Sequence, residues 1–174
     1  MTVTTAAQTA TRRDVPRLPD RDEFCSAMAH LATGVAVITT GGPDGPTGCT
    51  ANAVLSLSTE PPSVLVSLAS ASRTARHAGD HGGFAVNILS WQQRDLMDRF
   101  ARLPAAERFQ GVDFGYEEGC PVLAGTAATV VCRLDQAPTA LDHTLLIGRA
   151  LWTRQDPGAP ALVLYQRHQH AVPH

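Results

Sequence analysis

Hydrophobic positions keep a helical period near the start of the chain and lose it after about residue 33. Phe24, Met28 and Leu31 fall three to four residues apart, on one helical face, and predict a helix over Arg21–Leu31. Asp20 supplies an N-cap, and Glu23, three residues on, completes a capping-box pattern. Short β-rich runs then predict strands at Val35–Thr40, Thr50–Leu57, Ser63–Leu68 and Phe84–Leu89. Gly41-Gly42-Pro43-Asp44-Gly45-Pro46 reads as a hairpin loop between the first two, and Pro61-Pro62 as a turn between the next two. Short helices fit Arg73–Ala78 and Gln92–Arg102, and Leu103–Glu118 reads as irregular, with Pro104, Gly111 and Gly115. Ala127–Leu134 and Thr144–Thr153 predict long strands around a loop containing Pro138, and Ala161–Tyr165 a final strand. Mostly sequential strands with a few short helices point to a mainly β fold, a barrel rather than a βαβ architecture. No G-x-G-x-x-G follows a strand, so a doubly wound dinucleotide site is not supported.

Composition narrows this picture. A chain of 174 residues with 44% hydrophobic and 17% charged residues is one globular domain with a real core. Its net charge of −2 carries no basic patch or acidic tail that would argue for nucleic acid or a membrane surface. No apolar run reaches membrane-spanning length. All fourteen basic residues are Arg, which rules out Schiff-base chemistry and leaves anion binding to guanidinium groups. Cys25, Cys49, Cys120 and Cys132 show no C-x-x-C spacing, and the first twenty residues lack an apolar signal region. The expectation is a cytoplasmic protein with reduced thiols, a mobile tail over residues 1–20 and a domain over residues 21–170.

Candidate chemistry gathers between Thr47 and Thr74. Thr50, Asn52, Ser56 and Ser58 put hydroxyl and amide groups on one strand, and Ala51 and Ala53 are small enough to let a flat ring approach the backbone. Ser72-Arg73-Thr74 stands where a helix begins, a natural seat for a phosphate. His77 and His81 have the i, i+4 spacing of a metal clamp, but glycines crowd that helix and no third ligand is evident, so no metal is expected. His168-x-His170 reads as tail.

Thr50-Ala51-Asn52-Ala53, the following S-x-S, the Pro pair and Ser70-x-Ser72-Arg73-Thr74 together resemble the flavin reductase-like family. That family includes the small reductase components of two-component flavin monooxygenases. Ala32–Thr40, Phe84–Leu89, Gly119–Leu123 and Asp142–Gly148 resemble its further landmarks in the same order, covering roughly Phe24 to Tyr165. The resemblance implies an FMN-binding split β-barrel of Greek-key type with a few short peripheral helices, and a homodimer. It implies flavin contacts from Thr50, Ala51, Asn52, Ala53, Ser56, Leu57, Ser58 and Asn87, from the backbone at Ser67, Leu68 and Ala69, and from Ser72, Arg73 and Thr74 at the phosphate. It assigns NADH contacts to Met28, Asp142, His143 and Tyr165, with His143 in the catalytic position.

The implied activity is hydride transfer from NAD(P)H to FAD or FMN, with reduced flavin passed to a separate monooxygenase. NADH is favoured over NADPH, because no Arg pair stands out for a 2′-phosphate. Two other uses stay open: a self-contained flavin enzyme acting on an organic substrate, and a non-catalytic flavin carrier. The chain departs from the pattern twice. Leu141 stands where the family has Gly before Asp-His-Thr, and Tyr165-Gln166-Arg167-His168 replaces the family's terminal R-G-x-Y.

Overall fold

The computed structural model describes residues 17–173. Most of the tail expected over residues 1–20 lies outside the described residues. Helix α1 (Arg21–Met28) opens on the capping box: the Asp20 carboxylate accepts from the N–H groups of Asp22 and Glu23 at 3.0 and 2.9 Å, and Glu23 accepts from Asp20 N–H at 2.9 Å. Strands β1 (Thr33–Gly34), β2 (Ala36–Gly42), β3 (Gly45–Ala51), β4 (Val54–Thr59) and β5 (Pro62–Ala69) follow, then α2 (Arg73–His81) and β6 (Gly83–Ile88). Next come α3 (Arg94–Arg102), the small hairpin β7 (Phe114–Glu117) and β8 (Cys120–Leu123), then β9 (Ala128–Gln136), β10 (Thr139–Ala140) and β11 (His143–Gln155). β12 (Ala161–Tyr165) and β13 (His168–Val172) complete the order.

The main sheet runs β3-β2-β6-β9-β11-β5-β4, with β10 pairing on β11. Its two end strands are consecutive in the chain, joined only by Asn52 and Ala53. So short a link reaches roughly 10 Å, so the sheet must curl until its ends meet. Ser67 N–H donates to Ala53 O at 2.9 Å and holds that link against β5. The result is a barrel with its split at residues 52–53. β1, β12 and β13 form a second small sheet, tied on where Val35 N–H donates to Leu162 O at 3.2 Å.

Alternation from Val35 into β2 explains the two main cores. Ala36 and Ile38 join Val66, Leu68, Phe84, Val86 and Leu146 on one face, which α2 covers with Ala75 and Ala78. Val35 and Val37 join Leu89, Leu123 and Leu162 on the other, with Phe100 of α3. Burial on both faces makes this strand read as a continuous apolar run in the sequence.

Several boundaries differ from the sequence reading. The first helix stops at Met28 rather than Leu31, and residues 29–31 continue as tight turns. The strand expected over Thr50–Leu57 is two strands broken at the split. Most of the expected hairpin loop is strand, because Gly42 pairs directly with Gly45 around Pro43-Asp44. α2 runs through Gly79 to His81 and ends at Gly82, whose φ of +78° gives a left-handed C-cap. The stretch read as irregular contains a 3-10 turn at Ala105–Glu107 and strand β7. Ala161–Tyr165 is not the last strand: His168-x-His170 belongs to β13, paired with it. A tight turn with positive φ at Gln166 and Arg167 makes that hairpin.

Candidate functional site

A groove follows the split of the barrel and then the start of α2. Its middle is a cavity of about 320 Å³ lined by Cys49–Ala53, Ser67–Ala69, Ser72 and His143. This is where the strand edge opens at Asn52-Ala53, so backbone groups and small side chains form the walls. Asn52 Nδ2 donates to Thr33 Oγ1 at 3.3 Å, while the Thr50 hydroxyl donates to Met97 O of α3 at 2.6 Å. The Thr50 hydroxyl proton is therefore committed to α3, which leaves its oxygen to accept.

The inner end opens into a cavity of about 390 Å³ at the start of α2, with Ser72, Arg73, Thr74, Phe100, Ala105 and Arg108 among its walls. Ser72 is the N-cap residue, yet its hydroxyl makes no capping bond and lies 3.9 Å from Cys49 Sγ. First-turn N–H groups lack intrahelical acceptors. Two guanidinium groups, a hydroxyl not used for capping and a helix N-terminus facing one cavity form a donor set suited to a phosphate. Thr74 lines the same cavity and is itself buried.

The outer end is an apolar groove of about 480 Å³ between Met28 and Leu31 on one side and Asn52–Leu55, Leu65 and Ser67 on the other. His143 begins β11 beside the central cavity, opposite Ala69 in register. Its Nδ1 lies 2.7 Å from Asp142 Oδ1. An ionised carboxylate only accepts, so Nδ1 carries the proton in this pair and Nε2 remains an acceptor while the ring is neutral. That hydrogen bond is the main reason the Asp142 carboxyl is held below the usual carboxylate range. Leu141, which precedes this pair, takes φ +56°, and Asp142 O accepts from Ser70 N–H at 2.9 Å.

Other sequence candidates lie elsewhere. Ser56, Leu57 and Ser58 continue along β4, with a bulge between Ser56 and Ser58, and do not line the central or inner cavity; the Ser58 hydroxyl bonds Glu60 in the β4–β5 turn. Asn87 is fully buried: its amide donates to Val37 O at 3.1 Å and Thr39 Oγ1 at 2.9 Å and accepts from Leu123 N–H at 2.9 Å. Tyr165 ends β12 near His30 and His170, outside the walls of the groove. His77 bonds Thr47 Oγ1 at 3.0 Å, and among the described residues no group of three or more His, Cys, Asp or Glu side chains could hold a metal ion. Sequence reading missed Arg108, which donates from Nε to Leu103 O and from Nη1 to Gly48 O at 2.9 and 2.7 Å. A lone Arg in an irregular stretch carries no local signal; only its contact with β3, sixty positions away, brings it to the groove.

The chain belongs to the family described as the flavin reductase like domain, which it matches over residues 28–173. It is 39% identical over 160 residues to a flavin reductase (NADH) of Kitasatospora aureofaciens, covering 90% of this chain and 83% of that one. Its fold is similar to that of the NADH:FAD oxidoreductase SgcE6 of Streptomyces globisporus in complex with NAD and FAD fragments: TM-score 0.81, 28% identity, 87% of this chain and 92% of that one. It is similar also to BorF, the flavin reductase component of a bacterial two-component tryptophan halogenase, with TM-score 0.81 and 29% identity over 89% of this chain and 99% of that one.

Proposed function

We propose that the protein reduces flavin with NADH in the groove along the barrel split, as a homodimer, and supplies the reduced flavin to a separate flavin-dependent oxygenase or halogenase. One observation carries this reading: the phosphate-type donor set at the start of α2 opens directly into a slot walled by strand backbone and alanines. A flavin, when bound, supplies the hydride acceptor. The chain's own residues bind and orient. Ser72, Arg73 and Arg108 hold the phosphate, and Ala51, Ala53 and Ala69 leave room for a flat ring against the backbone. His143, fixed by Asp142, presents Nε2 as an acceptor for the carboxamide N–H of a nicotinamide lying over the ring. No side chain has to abstract a proton, which suits a site of amide, hydroxyl and backbone groups; rate comes from holding two rings face to face.

The NADH preference and the separate acceptor enzyme follow the relatives. Among the described residues no helix is long and apolar enough to cross a membrane, and the four cysteines are unpaired, which suits action in the cytoplasm. NADH oxidation by the purified protein, with and without added flavin, tests the proposal. Turnover that requires added FMN or FAD is the expected result. A protein that purifies with flavin and turns over only with an organic substrate would be a self-contained enzyme instead. One that binds flavin and leaves NADH untouched would be a carrier.

A further inference from the structure

The groove does not end at the phosphate seat. Thr47, Arg73 and Ala105 each line both the inner cavity and a second, open trough of about 240 Å³ that continues along α2 toward the β2–β3 hairpin. The trough adds Asp44 from the hairpin tip, His77 one turn along α2 from Arg73, and Ala106 from the 3-10 turn after α3. From these shared walls we infer that the trough receives the adenosine half of FAD, and that this chain prefers FAD to FMN. The inference rests on the flavin reading of the groove.

The chemistry of each wall suits that half. Arg73 stands at the junction, so its guanidinium serves the phosphate nearest the ribityl chain from one side and the second phosphate from the other. Arg108 lies only on the inner side. A guanidinium that lines both cavities can bridge the two phosphates of a diphosphate, which a single phosphate does not require. The imidazole of His77 is fixed by Thr47 Oγ1 at 3.0 Å, which makes it a preorganised flat surface for a purine to pack on. Asp44 is exposed at the rim, and a carboxylate there accepts from ribose hydroxyls while repelling a phosphate on the same sugar. Ala105 and Ala106 keep the opposite wall low.

Fluorescence titration with FAD and FMN tests this in the wild type and in two variants. Ala106→Trp fills the trough, and because Ala106 is exposed the substitution leaves the core alone. His77→Ala removes the flat wall. The wild type is expected to bind FAD roughly tenfold more tightly than FMN, and the ratio of the two dissociation constants is expected to fall to about one in Ala106→Trp. His77→Ala is expected to lower the ratio by about threefold or more, the scale of one stacking contact. Equal FAD and FMN affinity in the wild type, or an FAD preference that survives in Ala106→Trp, overturns the inference. NADH, the other adenosine dinucleotide, forms a separate arm: a KM for NADH that rises severalfold in Ala106→Trp with FMN as acceptor would give the trough to the nicotinamide nucleotide and also overturn it. Binding of FMN without FAD preference removes only the trough. A folded wild type that binds neither flavin removes the flavin site beneath it.

Discussion

Leu141 is fully exposed and holds φ at +56°, immediately before the Asp142-His143 pair. A β-carbon in that left-handed region costs roughly 1 kcal/mol, and nothing is gained by exposing an isobutyl group there. Leu141→Gly should therefore stabilise the fold by about 0.5–1 kcal/mol, seen as a rise of a few degrees in thermal midpoint. An unchanged or lower midpoint would show that the leucine carries a compensating contact. One residue on, the 2.7 Å bond to Asp142 fixes which nitrogen of His143 faces the cavity. His143→Ala should raise the NADH KM or slow flavin reduction in stopped flow, while flavin affinity stays within about twofold. Asp142→Asn should show a milder form of the same defect, because an amide oxygen still accepts from Nδ1–H. Reduction by His143→Ala at the wild-type rate at every NADH concentration would make the residue structural. This pair was legible in the sequence because its two members are adjacent. Arg108 was not, because its place depends on a loop folding back onto β3.

The strands and helices set where those residues go, and β11 shows how tightly. Its Gly148 lies under the Phe84 ring: a β-carbon there would stand 2.6 Å from Cε1 and Cζ of Phe84 and 2.8 Å from Cβ of Cys132. Phe84 and Cys132 are both buried in the core beneath α2, so neither has space to retreat. Gly148→Ala should destabilise the protein by roughly 2–3 kcal/mol by overpacking, measured by urea unfolding; a loss below about 0.5 kcal/mol would mean the barrel breathes at this point. Strand existence was largely legible from apolar runs, and so was the capping box of α1. Two things were not. The break at Asn52-Ala53 is invisible locally, since Thr50–Leu57 is an unbroken strand-type run; it is imposed by closure, which requires the chain to cross from one sheet edge to the other. The role of Asn87 was hidden by strand parity. Its side chain faces inward and ties β6 to β2 and β8, so an amide on a strand near the site proves to be a core fastener.

At the scale of the whole molecule, the chain leaves apolar surface around the outer end of its groove. Phe24, Met28 and Leu31 of the α1 region and Leu55 and Leu57 of β4 are between 45% and 58% exposed. The capping box closes the N-terminus of α1, yet the helix buries none of its own residues. Exposed apolar residues gathered on a helix and a neighbouring end strand are expected at a subunit contact rather than on a free surface. β4 is also an end strand of the sheet and runs beside that helix face along one wall of the outer groove. A second copy covering both would hide the edge and the apolar residues together, and would close the groove where Met28 and Leu31 line it. The protein is therefore expected to be a homodimer at micromolar concentration in sedimentation equilibrium. Phe24→Asp with Leu55→Asp should shift it to monomer, since each places a charge on the covered surface without touching the core. If the partner completes the outer groove, the monomeric variant should lose NADH-dependent reduction more than flavin binding, because the phosphate seat at α2 lies at the far end. A wild-type monomer with full activity per chain would exclude the dimer. A monomeric variant with unchanged kinetics would keep the dimer and remove its part in the site.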